Sequence, residues 1–130
     1  MPFAMMTFSL TAQLPSGKNS VLVTRTGQLI PSPRFVEWRR QAAKEVLTQV
    51  TATEKPLRGP CGLRVSYVPQ DRRRRDVSGQ LDCLFHLLEY CGLVQDDSQI
   101  HGVVWTRDRD VPHTRIALLP LTPGVPFVRW

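Results

Sequence analysis

The run Asp71-Arg72-Arg73-Arg74-Arg75-Asp76 sets four guanidinium groups between two carboxylates, and a second acidic pair, Asp96-Asp97, follows further along the chain. Carboxylates are hard oxygen ligands for a divalent cation, and arginine forks match phosphate oxygens in bidentate fashion. Together these are residue types suited to handling a phosphodiester. A charge run is also what solvated surface looks like, so position has to weigh against that reading. Loops that join a strand to a helix commonly carry functional groups. Asp76 and the Asp96-Asp97 pair converge only if the intervening chain folds back, and spacing alone does not show that it does.

The elements around these residues are legible. Leu63, Val65 and Tyr67 alternate as a strand before the arginine run. A helix bounded by Ser78 and Gly92 follows, with Leu81, Leu84, Phe85, Leu88 and Cys91 as its apolar stripe, Ser78 as a good N-cap type and Gly92 as the C-terminal cap. On that helix Asp82 is four residues beyond Ser78 and shares its face. His86 and Glu89 continue the same polar side, so they read either as further ligands or, more simply, as a solvated outer face.

Upstream, residues 7–14 alternate as a first strand, with Phe8, Leu10, Ala12 and Leu14 on one side. A loop dense in turn formers (Pro15 to Asn19) leads into a hairpin of residues 20–25 and 28–30 around Thr26-Gly27. Ser32-Pro33 starts a helix over 33–50 whose stripe is Phe35, Trp38, Ala42, Val46 and Val50. Its Arg39, Arg40 and Lys44 read first as solvated. Residues 100–106 and 114–119 are two more strands, joined through the polar Arg107-Asp108-Arg109-Asp110 turn. This order predicts an α+β fold: a small mixed β-sheet of about five to six strands with two main helices packed on it. Residues 120–130 form a proline-rich tail, too apolar for a flexible end, which would cover its own core or dock on a second subunit.

Composition bounds the rest. The chain has 130 residues, 42% hydrophobic and 22% charged, which suits one globular domain spanning 1–130. Lys and Arg number 17 against 11 Asp and Glu, and the net charge of +6 favours a polyanionic partner, with nucleic acid the first candidate. Cys61, Cys83 and Cys91 are an odd number without zinc spacing, so they support neither a disulfide framework nor a zinc site. No signal peptide and no apolar run of membrane-spanning length is read, which leads to the expectation of a reducing cytoplasm.

The run Asp71 to Asp76, the helix with Leu84, Phe85 and Leu88, and the segment Gly92-Leu93-Val94-Gln95-Asp96-Asp97-Ser98-Gln99-Ile100 together resemble the central motif of RusA-type Holliday junction resolvases. Pro15-Ser16-Gly17-Lys18-Asn19-Ser20 is similar to the loop after that family's first strand, and Ile30-Pro31-Ser32 to the lead-in to its first helix. The resemblance covers roughly residues 7–119. It implies a homodimeric, structure-selective endodeoxyribonuclease that binds four-way DNA junctions in recombination and repair. It also implies cutting with Mg²⁺ held by aspartates, Mn²⁺ serving as a substitute.

Transferred residue by residue, the resemblance puts the family's first aspartate on Asp76 and its last on Asp97, beside Asp96. Its second aspartate falls on Ser78, the asparagine after that on Gly79, and its lysine on Asp82. Asp76, Asp82 and Asp97 are therefore the expected catalytic and metal-binding set, with Ser78 as N-cap or water contact. Lys18, Asn19, Arg72, Arg73, Arg74 and Arg75 are the expected DNA-binding residues. Lys18, Arg74 or Arg75 would stand in for the lost lysine. The alternative implied by the two changed positions is a junction-binding protein of the same fold with impaired cleavage. A nonspecific nucleic-acid-binding module, read from the charge alone, fits less well, because Trp38, Phe85 and Tyr67 lie on apolar stripes instead of interleaving with basic residues as in single-strand binders.

Overall fold

Met6, Phe8 and Leu10 turn inward while Thr7 faces out, which makes β1 (Met6–Leu10) a half-buried strand. The computed structural model describes residues 5–16, 21–50, 56–70, 76–122 and 124. Chain order continues with β2 (Val21–Val23), β3 (Leu29–Pro31), α1 (Pro33–Gln49), β4 (Cys61–Tyr67), α2 (Val77–Tyr90), a 3₁₀ turn (Asp97–Gln99), β5 (Ile100–Arg107) and β6 (Thr114–Pro120). The α+β expectation holds, and the six strands divide in two. Four form one mixed sheet in the order β1-β6-β4-β5, and β2 pairs only with β3.

In the main sheet β6 runs antiparallel to both β1 and β4, whereas β4 and β5 are parallel neighbours. Parallel neighbours need a long crossover, and α2 supplies it. The first strand ends sooner than the alternation to Leu14 suggests. Its ladder runs out where Leu10 meets Thr114, the first residue of β6. Leu14 nevertheless stays buried, because its carbonyl accepts the side-chain amide of Gln80 from α2 at 3.1 Å.

Both helices lie over one face of the sheet. Phe35, Trp38, Ala42 and Val46 of α1 and Cys83, Leu84, Leu87 and Leu88 of α2 join Phe8, Leu63, Val65, Ile116 and Leu118 in one core. The stripe read for α2 is rotated slightly by this packing: Leu81 and Phe85 are only partly buried, and Cys83, Leu87 and Gln80 take the centre. Gln80 also donates to the Tyr67 hydroxyl at 3.1 Å, so the one buried amide of α2 fastens the helix to β4 and to the chain after β1. None of the three cysteines forms a disulfide and all are buried, and burial pushes the Cys83 thiol up to about 11, which leaves it an inert core group.

Ser32 caps α1 through Phe35 N–H at 3.1 Å, with Pro33 at the first helical position as expected. Of its polar residues, Arg40 pairs with Glu37 in solvent at 2.9 Å. Arg39 instead turns to α2, where its guanidinium lies 4.4 Å from the Tyr90 ring centre and 3.0 Å from His86 Nε2. The β2–β3 hairpin turns at Gly27, whose φ of +82° suits a residue without a Cβ. Its Leu22, Val23, Leu29 and Ile30 are exposed. No helix among the described residues is long and apolar enough to cross a membrane.

Candidate metal centre

The C-terminal end of α2 is built to reverse the chain. Gly92 adopts φ +73°, its N–H bonds Glu89 O at 3.0 Å, and Leu93 N–H bonds Leu88 O at 2.9 Å. These are the two bonds of a Schellman motif, with glycine where a left-handed residue is required. The following segment is tied back by one bridge, Leu57 to Val94, and then enters the 3₁₀ turn. Asp96 caps that turn through Ser98 N–H at 2.9 Å, and Gln99 completes a capping box.

Gln99 is the anchor of the whole segment. Its oxygen accepts from the N–H groups of Gln95 (2.7 Å) and Asp96 (3.1 Å), and its amide donates to the carbonyls of Leu57 (2.9 Å) and Gly59 (3.0 Å). Glu89, in the last turn of α2, accepts Asp97 N–H at 2.7 Å. The outcome is a group of three exposed carboxylates, Glu89, Asp96 and Asp97, whose ligand oxygens lie within 4.8 Å of one another. Among the described residues it is the group of that size able to hold a metal ion.

The charges feel each other. Loss of hydration, the hydrogen bond shared with Asp96 and the charges of Glu89, Asp96 and Asp82 push the Asp97 carboxyl above the ordinary value of 3.8. The Ser98 backbone N–H, with further hydrogen bonds from Ser98 and Asp97, holds Asp96 below it. The two neighbouring carboxyls are thus driven in opposite directions, Asp96 by the hydrogen bonds it accepts and Asp97 by lost hydration and nearby negative charge. The donor set is all carboxylate oxygen, which fits a hard divalent ion that keeps part of its water shell.

The sequence-derived trio does not meet at this point. Asp97 belongs to the group, but Asp76 is the N-cap of α2, at the far end of a 14-residue helix that spans roughly 21 Å. The cap expected at Ser78 is thus corrected: Asp76 Oδ1 accepts Ser78 N–H at 3.1 Å, and Ser78 Oγ donates to the same oxygen at 3.2 Å. The aspartate wins because its carboxylate reaches the second helical N–H, which places Ser78 inside the first turn. Asp82 is exposed on α2 between the two ends, near enough for its charge to act on Asp97 but outside the group of three.

His86 leaves the polar row it was read in. It lies edge-on to Phe35 at 5.2 Å and stacks on Tyr90 at 6.3 Å, so it belongs to the α1–α2 contact. Burial, then the Arg39 charge, lowers its pKa from 6.5. Glu89, by contrast, is a genuine member that sequence reasoning placed in a different cluster. The signal for the correct one was the pattern Asp96-x-x-Gln99, a capping-box spacing that fixes the turn beside Glu89. Lys18, Asn19, Arg72, Arg73, Arg74 and Arg75 lie outside the described residues, as does most of the 120–130 tail.

No protein-family model matches this chain, and no curated protein matches it either.

Proposed function

We propose that the chain is a Mg²⁺-dependent, structure-selective endodeoxyribonuclease acting on branched DNA, with four-way junctions as its substrate. The observation that carries this reading is the Glu89–Asp96–Asp97 group on a basic chain of net charge +6. The group stands beside the negative end of α2, where carboxylates gain nothing from the helix dipole. On this reading Glu89, Asp96 and Asp97 hold the ion. When bound, Mg²⁺ supplies Lewis-acid polarisation of a phosphodiester oxygen.

The chain's own groups do the remaining work. Gly92 and Gln99 hold the turn in register, and the Asp97 N–H orients Glu89. Lys18, Asn19 and the arginines 72–75 neutralise the converging backbones of a junction. Mn²⁺ substitutes for Mg²⁺ with the same oxygen donors. A homodimer presents two equivalent sites for paired cuts. The exposed apolar β2–β3 hairpin is a surface that a second copy would bury, since a lone two-stranded ribbon is marginal in water. The compartment on this reading is the bacterial or phage-infected cytoplasm, where the buried thiols stay reduced.

A second reading, favoured by Ser78 and by the capping role of Asp76, keeps junction binding and loses efficient cutting. Incubating a labelled four-way junction and a matched duplex with Mg²⁺ separates the two. Symmetric cutting of the junction, lost in Asp97→Asn, is the expected result. Tight junction binding with no product at any Mg²⁺ or Mn²⁺ concentration would establish the second reading. Absence of any preference for branched DNA would overturn both.

A further inference from the structure

The two free edges of the main sheet are treated differently. At β1 the edge is closed by α1: Gln49 Oε1 accepts Ser9 N–H at 2.8 Å, Gln49 Nε2 donates to Ser9 O at 2.9 Å, and a Glu45 carboxylate oxygen accepts Thr11 N–H at 2.9 Å. One amide side chain thus makes the two bonds that a further strand would make. At the other edge β5, eight residues long, has β4 as its one neighbour in the sheet. Asp108 N–H bonds Tyr67 O at 2.8 Å, and alternate residues of a parallel strand face the neighbour, so the N–H and C=O groups of Val103, Trp105 and Arg107 point away from β4. No described residue bonds these groups. The strand holds neither proline nor lysine, and its one register shift lies at its start, before Gly102. Val103 and Trp105 are only partly buried, whereas Leu63 and Val65 beside them in β4 are fully buried.

We infer that β5 pairs antiparallel with the β5 of a second copy and, resting on the function proposed above, that this sets Arg107 of one protomer beside the carboxylate group of its partner. Outward groups must meet outward groups, which restricts the two-fold axis to a few positions along the strand. With the axis at Val104, that residue faces itself on the helix-free side, Val103 faces the partner's Trp105 on the helix side, and Gly102 faces the partner's Thr106. Charge complementarity selects a second copy as the occupant. The acidic turn of Asp96 and Asp97 immediately precedes β5, and Arg107 ends it, so antiparallel copies bring the basic end of each strand against the acidic end of the other. Arg107 is exposed and shares its side of the strand with Val103 and Trp105, the side on which α2 and Glu89 lie. Asp108, next along, points to the opposite side and accepts Asp110 N–H at 2.9 Å. Each carboxylate group thereby receives from the partner the cation that the last turn of α2 lacks. The two groups lie on one face of a continuous sheet, separated along the strands by roughly 27 Å.

The test is sedimentation of the natural chain, Val104→Lys, Val104→Glu and an equal mixture of the two variants. The natural chain is expected to dimerise, each variant to do so at least about tenfold more weakly because residue 104 meets its own charge, and the mixture to regain the natural affinity. That regain also shows that both variants fold. A monomeric natural chain, or variants that dimerise as tightly as it does, overturns the inference. So does a dimer weakened by Leu22→Asp instead, which would assign the interface to the β2–β3 hairpin. For the charged contact, Arg107→Ala and Asp97→Asn should each weaken the dimer severalfold and the double variant no further. Mixing the two single variants should restore junction cutting, because the mixed dimer keeps one site with both groups. Additive losses, or no restoration, remove Arg107 from the partner's site. A dimer that behaves as described but cuts no junction leaves the interface standing and overturns the proposed function.

Discussion

The two ends of α2 use aspartate in opposite ways. At the N-terminus Asp76 sits at the positive end of the helix dipole and accepts the Ser78 N–H, so its charge is stabilising where it stands. At the C-terminus Glu89 occupies the last turn and Asp96 and Asp97 fold back against it, beside the negative end, with no basic residue in that turn. The first arrangement explains itself through folding. In the second, Asp96 is held by the turn it caps and Glu89 by the Asp97 N–H, whereas the Asp97 carboxyl is raised by its acidic neighbours, a repulsion that a cation would relieve on the function proposed above. Aspartates that the resemblance groups as one set are thereby separated into a helix cap and a member of a group that could hold a metal ion.

The sharpest way to break this comparison is to remove one carboxylate at each end. Asp97→Asn should lower Mg²⁺-dependent junction cutting at least about a hundredfold, measured as single-turnover rate. Divalent ions should raise the Tm of the natural chain, and the same variant should lose that rise. Because the Asp97 carboxyl is raised in the folded state, its contribution is most favourable below pH 3.8 and is lost as pH rises through the raised value. Metal-free Asp97→Asn should therefore melt higher than the natural chain at pH 7 and show no such gain at pH 3. Asp76→Asn should leave the metal-induced rise intact. If it abolishes that rise, the two ends are not separate.

Gly92→Ala tests the reversal that brings Asp96 and Asp97 to Glu89. The open space around a Cβ there leaves only the backbone penalty, about 1–2 kcal/mol for a left-handed residue, readable by urea unfolding. Divalent binding should weaken in step, since the strained turn sets the spacing of the group. Asp76→Ala should cost about 1 kcal/mol as a lost cap and leave divalent binding unchanged.

The smallest effect concerns the contact between the helices. The His86 pKa is lowered by burial and by Arg39, so its stabilising contribution is present above 6.5 and lost as pH falls through the lowered value. Urea titrations at pH 7.5 and 5.5 should show a loss of stability on acidification that His86→Phe removes. An unchanged difference in that variant would assign the pH response elsewhere.

Most of the fold was legible because it follows from local periodicity. The α1 cap at Ser32-Pro33, the glycine after α2, the hairpin around Gly27 and the alternating residues of β4 and β6 each carry their own signal within a few residues. What sequence could not convey is distance. The resemblance groups Asp76, Asp82 and Asp97 as one set, yet helical rise keeps the cap and the turn apart. The chain by itself determined a basic α+β domain, the identity of its helices and the existence of an acidic turn after α2. Tertiary structure alone decided that the hairpin stands apart from the main sheet, that His86 faces Phe35 and Arg39, and that Glu89 joins Asp96 and Asp97. The reason is that each of these depends on which faces meet across the core, a long-range packing outcome that no short window of residues encodes.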